Sequence, residues 1–174
     1  METQKSINIF IVEDNKLFML ALKADIETSF AKMPIQIFSF ETGEECMKKF
    51  NLEKPKVVIL DYHLNSNNPQ AADGIKVLDW IKKENADTNV IMLTGDDNID
   101  IAVKSFQHGA SDYVVKTETK FRKINYSLFN LFKMMVAQSA ARRYKNWLIG
   151  FLICIAMLVA GIIAIYIVDP SIMK

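Results

Sequence analysis

Five short apolar runs recur along the first two thirds of the chain: INIFIV at 7–12, PIQIFSF at 34–40, KVVILD at 56–61, NVIMLT at 89–94 and DYVV at 112–115. Between them lie stretches with helical spacing, such as 15–31, where Leu17, Leu20, Ala21, Ala24 and Phe30 recur at intervals of three and four. The others are ETGEECMKKF, DGIKVLDWIKK and NIDIAVKSFQHG, and after DYVV a long helix is expected from about Thr119. VVIL and VIML are apolar at every position, as strands must be when helices cover both faces of a parallel sheet. The expected fold is therefore α/β, a doubly wound five-stranded parallel sheet. Gly74, Gly95 and Gly109 fall at turns or helix ends.

Charge divides the chain further. Residues 1–115 carry 12 Lys and Arg against 18 Asp and Glu, a net −6, whereas residues 116–146 carry 8 against 1, a net +7. The run from Trp147 to Val168 then holds 22 residues without a charge. A helix of that length reaches about 33 Å, enough for a hydrocarbon core roughly 30 Å thick. The expectation is one transmembrane helix at 147–168, preceded by a basic juxtamembrane connector at 136–146 and followed by a short outward tail at 169–174. Arg142, Arg143 and Lys145 before the span place residues 1–135 in the cytoplasm, tethered to the inner membrane, with anionic lipid headgroups as their partner. Tyr144, Trp147 and Tyr166 fit interfacial positions, and Ala156, Ala160 and Ala164 form a small-residue ridge that would allow a homodimer.

Other classes fall away on simple grounds. Cys46 and Cys154 lie 108 positions apart, so neither a disulfide scaffold nor a CxxC site is available. Ile7–Val12 is too short for a signal peptide and runs directly into acids. After Lys116 only 58 residues follow, 22 of them the apolar run, which leaves no room for a helix-turn-helix and gives no expectation of nucleic-acid binding.

In open parallel sheets ligands bind beyond the carboxyl ends of the strands. Glu13 and Asp14 follow the first strand, Asp61 ends the third, Thr94 and Gly95 end the fourth, and Lys116 follows the fifth. Singly, each has an ordinary explanation as a cap, a turn residue or a solvated charge. Together, clustered carboxylates call for a hard cation, and Mg²⁺ takes one or two carboxylates together with phosphoryl oxygens. Lys116 and Thr94 supply a cation and a hydroxyl for those oxygens, and a carboxylate can itself accept phosphate, with Asp61 as the natural candidate.

Over residues 5 to about 135 the chain resembles the receiver (CheY-like) domain of two-component response regulators. IVEDN, VVILD, DG, LTG and YVVK stand in that family's order, with 19 positions from Thr94 to Tyr113 and 22 from Thr94 to Lys116. The resemblance implies the strand order 2-1-3-4-5. It implies that Asp61 is the phosphoacceptor and that Mg²⁺ is bound by Asp14, Asp61 and the main-chain carbonyl of His63, with Glu13 helping through water. It implies that Thr94 and Lys116 grip the phosphoryl oxygens, that Tyr113 turns inward with Thr94 as the switch, and that a histidine kinase or phosphotransfer protein is the donor. Receiver domains of this kind are phosphoacceptors rather than enzymes acting on a separate substrate.

The sequence departs from the family twice. DYHLNSNNPQAADG is about three residues longer than usual between the acceptor and the Asp-Gly pair, and Thr117 stands where proline is usual, so no cis peptide is expected there. A pseudo-receiver serving as a membrane scaffold is the alternative that these departures raise. A phosphatase would want an Asp at His63, and a flavodoxin would want a Ser/Thr/Gly loop at EDNK. His108, at a helix end, is expected to be structural.

Overall fold

The computed structural model describes residues 6–64, 71–95 and 98–168, of which 139–143, 145, 146, 159 and 161–168 are described as backbone only. The elements alternate as the two periods in the sequence require: β1 Ile7–Val12, α1 Lys16–Ser29, β2 Ile35–Phe40, α2 Gly43–Glu53, β3 Val57–Asp61, α3 Gly74–Glu84, β4 Asn89–Thr94, α4 Ile99–Gln107, β5 Asp112–Val115 and α5 Lys120–Val168. All strand pairs are parallel and the sheet order is β2-β1-β3-β4-β5. This is the flavodoxin-like arrangement, with the order reversing between β1 and β3.

The three central strands owe their positions to burial. Every residue of β3 is buried, as are Ile9–Val12 of β1 and Val90–Thr94 of β4, whereas the edge strand β2 keeps Gln36 and Ser39 exposed. Phe10, on β1, packs edge-on or tilted against Phe38, Phe40 and Phe50, with ring centroids 5.4, 4.8 and 6.3 Å away. These separations and angles suit aromatic quadrupoles. Cys46 is sealed in the same cluster, and burial pushes its thiol up to about 12, so it is a packing group rather than a nucleophile.

Helix starts are set by capping side chains. Asn15, Thr42, Asp73 and Asn98 each accept a hydrogen bond from a backbone N–H of the turn that follows. Such a bond satisfies one of the orphan donors at a helix N-terminus and is worth about 1 kcal/mol. α5 is tied to α1 by Asn125, whose amide donates to Asp25 Oδ2 at 2.7 Å and to Ser29 Oγ at 2.9 Å. Ile124 and Leu128 are fully buried.

The chain forms two compact units, Met1–Phe129 and Asn130–Lys174. The first holds the sheet, α1–α4 and the start of α5; the second holds the remainder of α5. Trp147 and Phe151 stack there with centroids 5.8 Å apart, and Leu148, Ile149, Leu152, Ile153 and Ile155 are exposed. The expected transmembrane helix is not supported by the described residues, none of whose helices is long and apolar enough to cross a membrane. Residues 159 and 161–168 of the expected span, the tail at 169–174, and Arg142, Arg143 and Lys145 lie outside the residues whose side chains are described.

Candidate functional site

The sheet delivers its polar residues to one edge. Glu13 follows β1, and its N–H donates to Phe40 O at 3.0 Å, which continues the β1–β2 ladder one residue past the strand. Its Oε1 accepts from the N–H of Asn15 at 3.3 Å, and its Oε2 lies 2.7 Å from the Lys116 ammonium. Asp61, the last residue of β3, presents Oδ2 to the same ammonium at 2.9 Å. Lys116 comes to that point because its N–H donates to Thr94 O at 2.7 Å, which carries the β4–β5 register past Thr94 and Val115. Asp14 is half-buried beside them, and one carboxylate oxygen from each of Glu13, Asp14 and Asp61 falls within 4.8 Å of the others.

Two of these three carboxylates, Glu13 and Asp61, thus share one lysine. Burial, and next the charge of Asp61, push the Glu13 carboxyl up to about 7 despite the opposing pull of Lys116. Burial also lowers Lys116, yet the charges of Asp61 and Glu13 outweigh it and hold the ammonium above its ordinary value. The fit to a divalent cation can be tested on one atom. Asp61 Oδ1 is buried without a hydrogen-bond partner among the described residues, although Oδ2 is paired. A buried orphan carboxylate oxygen beside two further acids is costly unless a cation faces it, and an all-oxygen donor set suits Mg²⁺. The residues present therefore fit the ion.

An open pocket of about 420 Å³ lies over the acids, lined by Glu13, Asp14, Asn15, Asp61, His63, Gly95 and Lys116. Among the expected site residues, Glu13, Asp14, Asp61, His63 and Lys116 meet here. Thr94 stands at the end of β4 fully buried, and Gly95 rather than Thr94 lines the pocket. Tyr113 is half-buried against the core, with its hydroxyl donating to the main-chain oxygen of Asn98 at 3.5 Å. The His63 ring stands edge-on to Tyr62, with centroids 4.7 Å apart. His108 lies outside the site, where its Nδ1 meets Asp79 Oδ1 at 2.6 Å and ties the end of α4 to α3, the structural role expected of it.

Gly74 positions Asp61 in a way that spacing along the chain does not reveal. Its N–H donates to Tyr62 O at 2.9 Å, and a Cβ there would lie 2.3 Å from Asp61 O and 2.7 Å from Tyr62 Cα. Only glycine lets the start of α3 close on the end of β3. Two further residues escaped sequence reasoning. Asn15 caps α1 and lines the pocket, and the cue was its place directly after the acid pair. Phe18, whose ring lies beneath Lys116 with the ammonium 4.9 Å from its centroid, gave no cue.

Comparison with known proteins identifies a family and a shared fold. The response regulator receiver domain family matches residues 9–125. The DNA-binding transcriptional regulator NtrC of Proteus hauseri is 27% identical over 109 residues, 63% of this chain and 21% of that protein. The alkaline phosphatase synthesis transcriptional regulatory protein PhoP of Bacillus subtilis is 29% identical over 138 residues, 79% of this chain and 53% of that one. The chain thus spans about half or less of the length of these curated relatives. A response regulator receiver domain from Clostridium thermocellum has the same fold, with TM-score 0.64 at 21% identity over 76% of this chain and 98% of its own.

Proposed function

The chain belongs to the response regulator receiver domain family, and on that premise we propose that it is a membrane-tethered receiver which takes a phosphoryl group on Asp61 from a histidine kinase or phosphotransfer protein. The observation that carries the reading is Asp61 itself: a buried carboxylate at a strand end and in the lining of an open pocket, with Oδ2 held 2.9 Å from Lys116 and Oδ1 without a hydrogen-bond partner among the described residues. An Asp61 oxygen attacks the phosphorus of the donor, the bond from phosphorus to the donor's nitrogen or acyl oxygen breaks, and the electron pair leaves with the donor. The result is an acyl phosphate.

Asp14, Asp61 and the main-chain carbonyl of His63 would hold Mg²⁺, with Glu13 reaching it through water. Bound there, the ion supplies positive charge to the oxygens of the transferring group. Lys116 follows the negative charge as it passes from the Asp61 carboxylate to the phosphoryl oxygens, a charge-assisted hydrogen bond kept throughout. Thr94, one strand away, supplies the hydroxyl that moves toward those oxygens, and Tyr113 follows it inward. Phosphorylation then shifts an existing equilibrium between two arrangements of that face, and partner proteins read the result.

The tether rests on the uncharged run 147–168, on the net +7 of residues 116–146, and on a helix that continues without a break to Val168. It places the receiver at the cytoplasmic face of the inner membrane. The curated relatives are transcriptional regulators by name, so a transcriptional output is the second reading of the downstream step, favoured by that kinship.

One experiment tests both parts. Membranes from cells making the full chain are washed with alkaline carbonate and incubated with Mg²⁺ and a small acyl phosphate, and the chain is weighed intact. The natural chain should stay in the membranes and gain one phosphoryl adduct, while Asp61→Asn should stay and gain none. Release into the wash, with the released chain gaining the adduct on the same incubation, removes the tether and keeps the phosphoacceptor. A membrane-bound chain without the adduct keeps the tether, removes the phosphoacceptor and leaves the scaffold reading.

A further inference from the structure

The Lys116 ammonium has three N–H donors and faces two carboxylate oxygens, Glu13 Oε2 at 2.7 Å and Asp61 Oδ2 at 2.9 Å. Its remaining side lies over the ring of Phe18, 4.9 Å from the centroid. Phe18 is fixed in turn. It stands in the first turn of α1, where its N–H donates to Asn15 Oδ1 at 3.1 Å, and its ring packs on that of Phe121 with centroids 5.6 Å apart. A second ammonium, that of Lys120, lies over the same pair, 5.7 Å from the Phe18 centroid and 5.6 Å from that of Phe121.

A lysine is a compact charge on a flexible four-carbon stem, and holding it in one place costs rotamer freedom. At this site the two carboxylates are temporary partners. When a phosphoryl group occupies Asp61, the charge that Lys116 faces moves outward, and the ammonium can follow only if something other than the acids keeps it out of bulk water. An aromatic face on the side away from the acids does that, because its attraction is independent of what happens to Asp61.

We infer that Phe18, backed by Phe121, is a positioning residue for phosphoryl transfer: its ring holds the Lys116 ammonium at the mouth of the acidic pocket while the charge on Asp61 changes. This rests on Asp61 being the phosphoacceptor. Lys120 shares the aromatic pair, and its like charge disfavours any movement of Lys116 away from the acids toward α5.

The test uses the full chain in detergent micelles and compares Phe18→Leu, which keeps an apolar side chain and removes the ring, with Phe18→Tyr, which keeps the ring. Phosphorylation by a small acyl phosphate is followed by intact mass over a range of donor concentrations. Phe18→Leu should lower the maximal rate about fivefold with little change in the donor concentration for half-maximal rate, because the ring touches neither donor nor acceptor. Phe18→Tyr should stay within about twofold of the natural chain. A natural maximal rate in Phe18→Leu overturns the inference, as does an equal loss in Phe18→Tyr. Repeating the Leu exchange in a Lys120→Met background should preserve the loss; its disappearance would assign the ring to Lys120 instead and sink the role claimed for Lys116.

A second readout separates this inference from the reading beneath it. The ε-methylene proton resonance of Lys116 should be displaced upfield by the ring current in the natural chain and in Phe18→Tyr, and should return to the ordinary lysine position in Phe18→Leu. A natural chain that gains no adduct refutes the phosphoacceptor role, and the resonance still decides whether the ring holds the lysine. An identical resonance in all three chains means that it does not.

Discussion

Two glycines stand at the ends of neighbouring strands, Gly74 opening α3 against the end of β3 and Gly95, which lines the pocket, directly after β4, and their surroundings are opposite. A side chain at Gly74 would collide with the backbone of Asp61 and Tyr62, whereas one at Gly95 would meet nothing within 4 Å among the described residues. The β3 side is closed: Asp61 and Glu13 are almost wholly buried, and the start of α3 is hydrogen-bonded onto Tyr62. The β4 side has room past the strand end, where Gly95 lines an open pocket, although Thr94 itself is as buried as the acids. A site that must hold its nucleophile still and yet report a change in charge needs both properties. This edge keeps them on adjacent strands, with the proposed acceptor, Asp61, on the closed side and the candidate switch, Thr94 and Tyr113, on the other.

The sharpest way to break this contrast is Gly74→Ala. The added methyl meets backbone atoms at 2.3 and 2.7 Å, which cannot turn aside as a flexible side chain would, so α3 or the end of β3 must move. The expected cost is about 3 kcal/mol of stability, at the upper end for overpacking. It is read from the urea midpoint of the receiver transition, and the Asp61 adduct should form more slowly even where the chain is folded. A cost under about 0.5 kcal/mol, the range of ordinary surface changes, would mean that the β3 edge is not closed.

A second test concerns the charge stored on the closed side. Glu13 ordinarily titrates at 4.5 and is pushed up to about 7 in the folded chain, chiefly by burial and then by Asp61. Between those values the folded chain keeps a proton that the unfolded chain has lost, so stability in chelator should fall as pH rises through that window. Glu13→Gln removes the group that titrates and should flatten that part of the curve of melting temperature against pH. Mg²⁺ should counter the fall in the natural chain, because it binds the deprotonated acids. A slope unchanged by Glu13→Gln would show that the closed side stores no such charge.

How much of this was legible in the sequence follows from the range of the interactions. The strands were readable because VVIL and VIML are apolar at consecutive positions; the binding edge followed from the open parallel sheet, and the strand order from the resemblance. Asp61, Glu13, Asp14 and Lys116 were readable because a charge directly after a buried strand can lie only at its end. Gly74 was readable as a turn residue, but its reason was not, since the atoms it must clear belong to Asp61 and Tyr62, more than ten positions earlier. Phe18 was hidden for a related reason. An aromatic residue in the first turn of a helix reads as a packing group, and the ammonium above it comes from a lysine nearly a hundred positions later. Thr94 was placed at the correct strand end, but sequence alone does not distinguish a hydroxyl that lines a pocket from one fully buried behind it.

The smallest effect belongs to the open side, and its sign matters more than its size. Gly95 has no left-handed backbone conformation to protect and, among the described residues, no neighbour for a methyl group to strike. Alanine there removes conformational freedom from the unfolded chain at no steric cost in the folded one, which stabilises a protein by about 0.5 kcal/mol. Gly95→Ala should therefore raise the urea midpoint slightly where Gly74→Ala lowers it steeply, although both exchanges add one methyl group at the ends of neighbouring strands. A loss above about 1 kcal/mol, too large for a site that accepts the residue without strain, would show that the turn after β4 is built as tightly as the approach of α3 to β3. The freedom assigned to the Thr94 side of the pocket would then have to come from somewhere else in the fold.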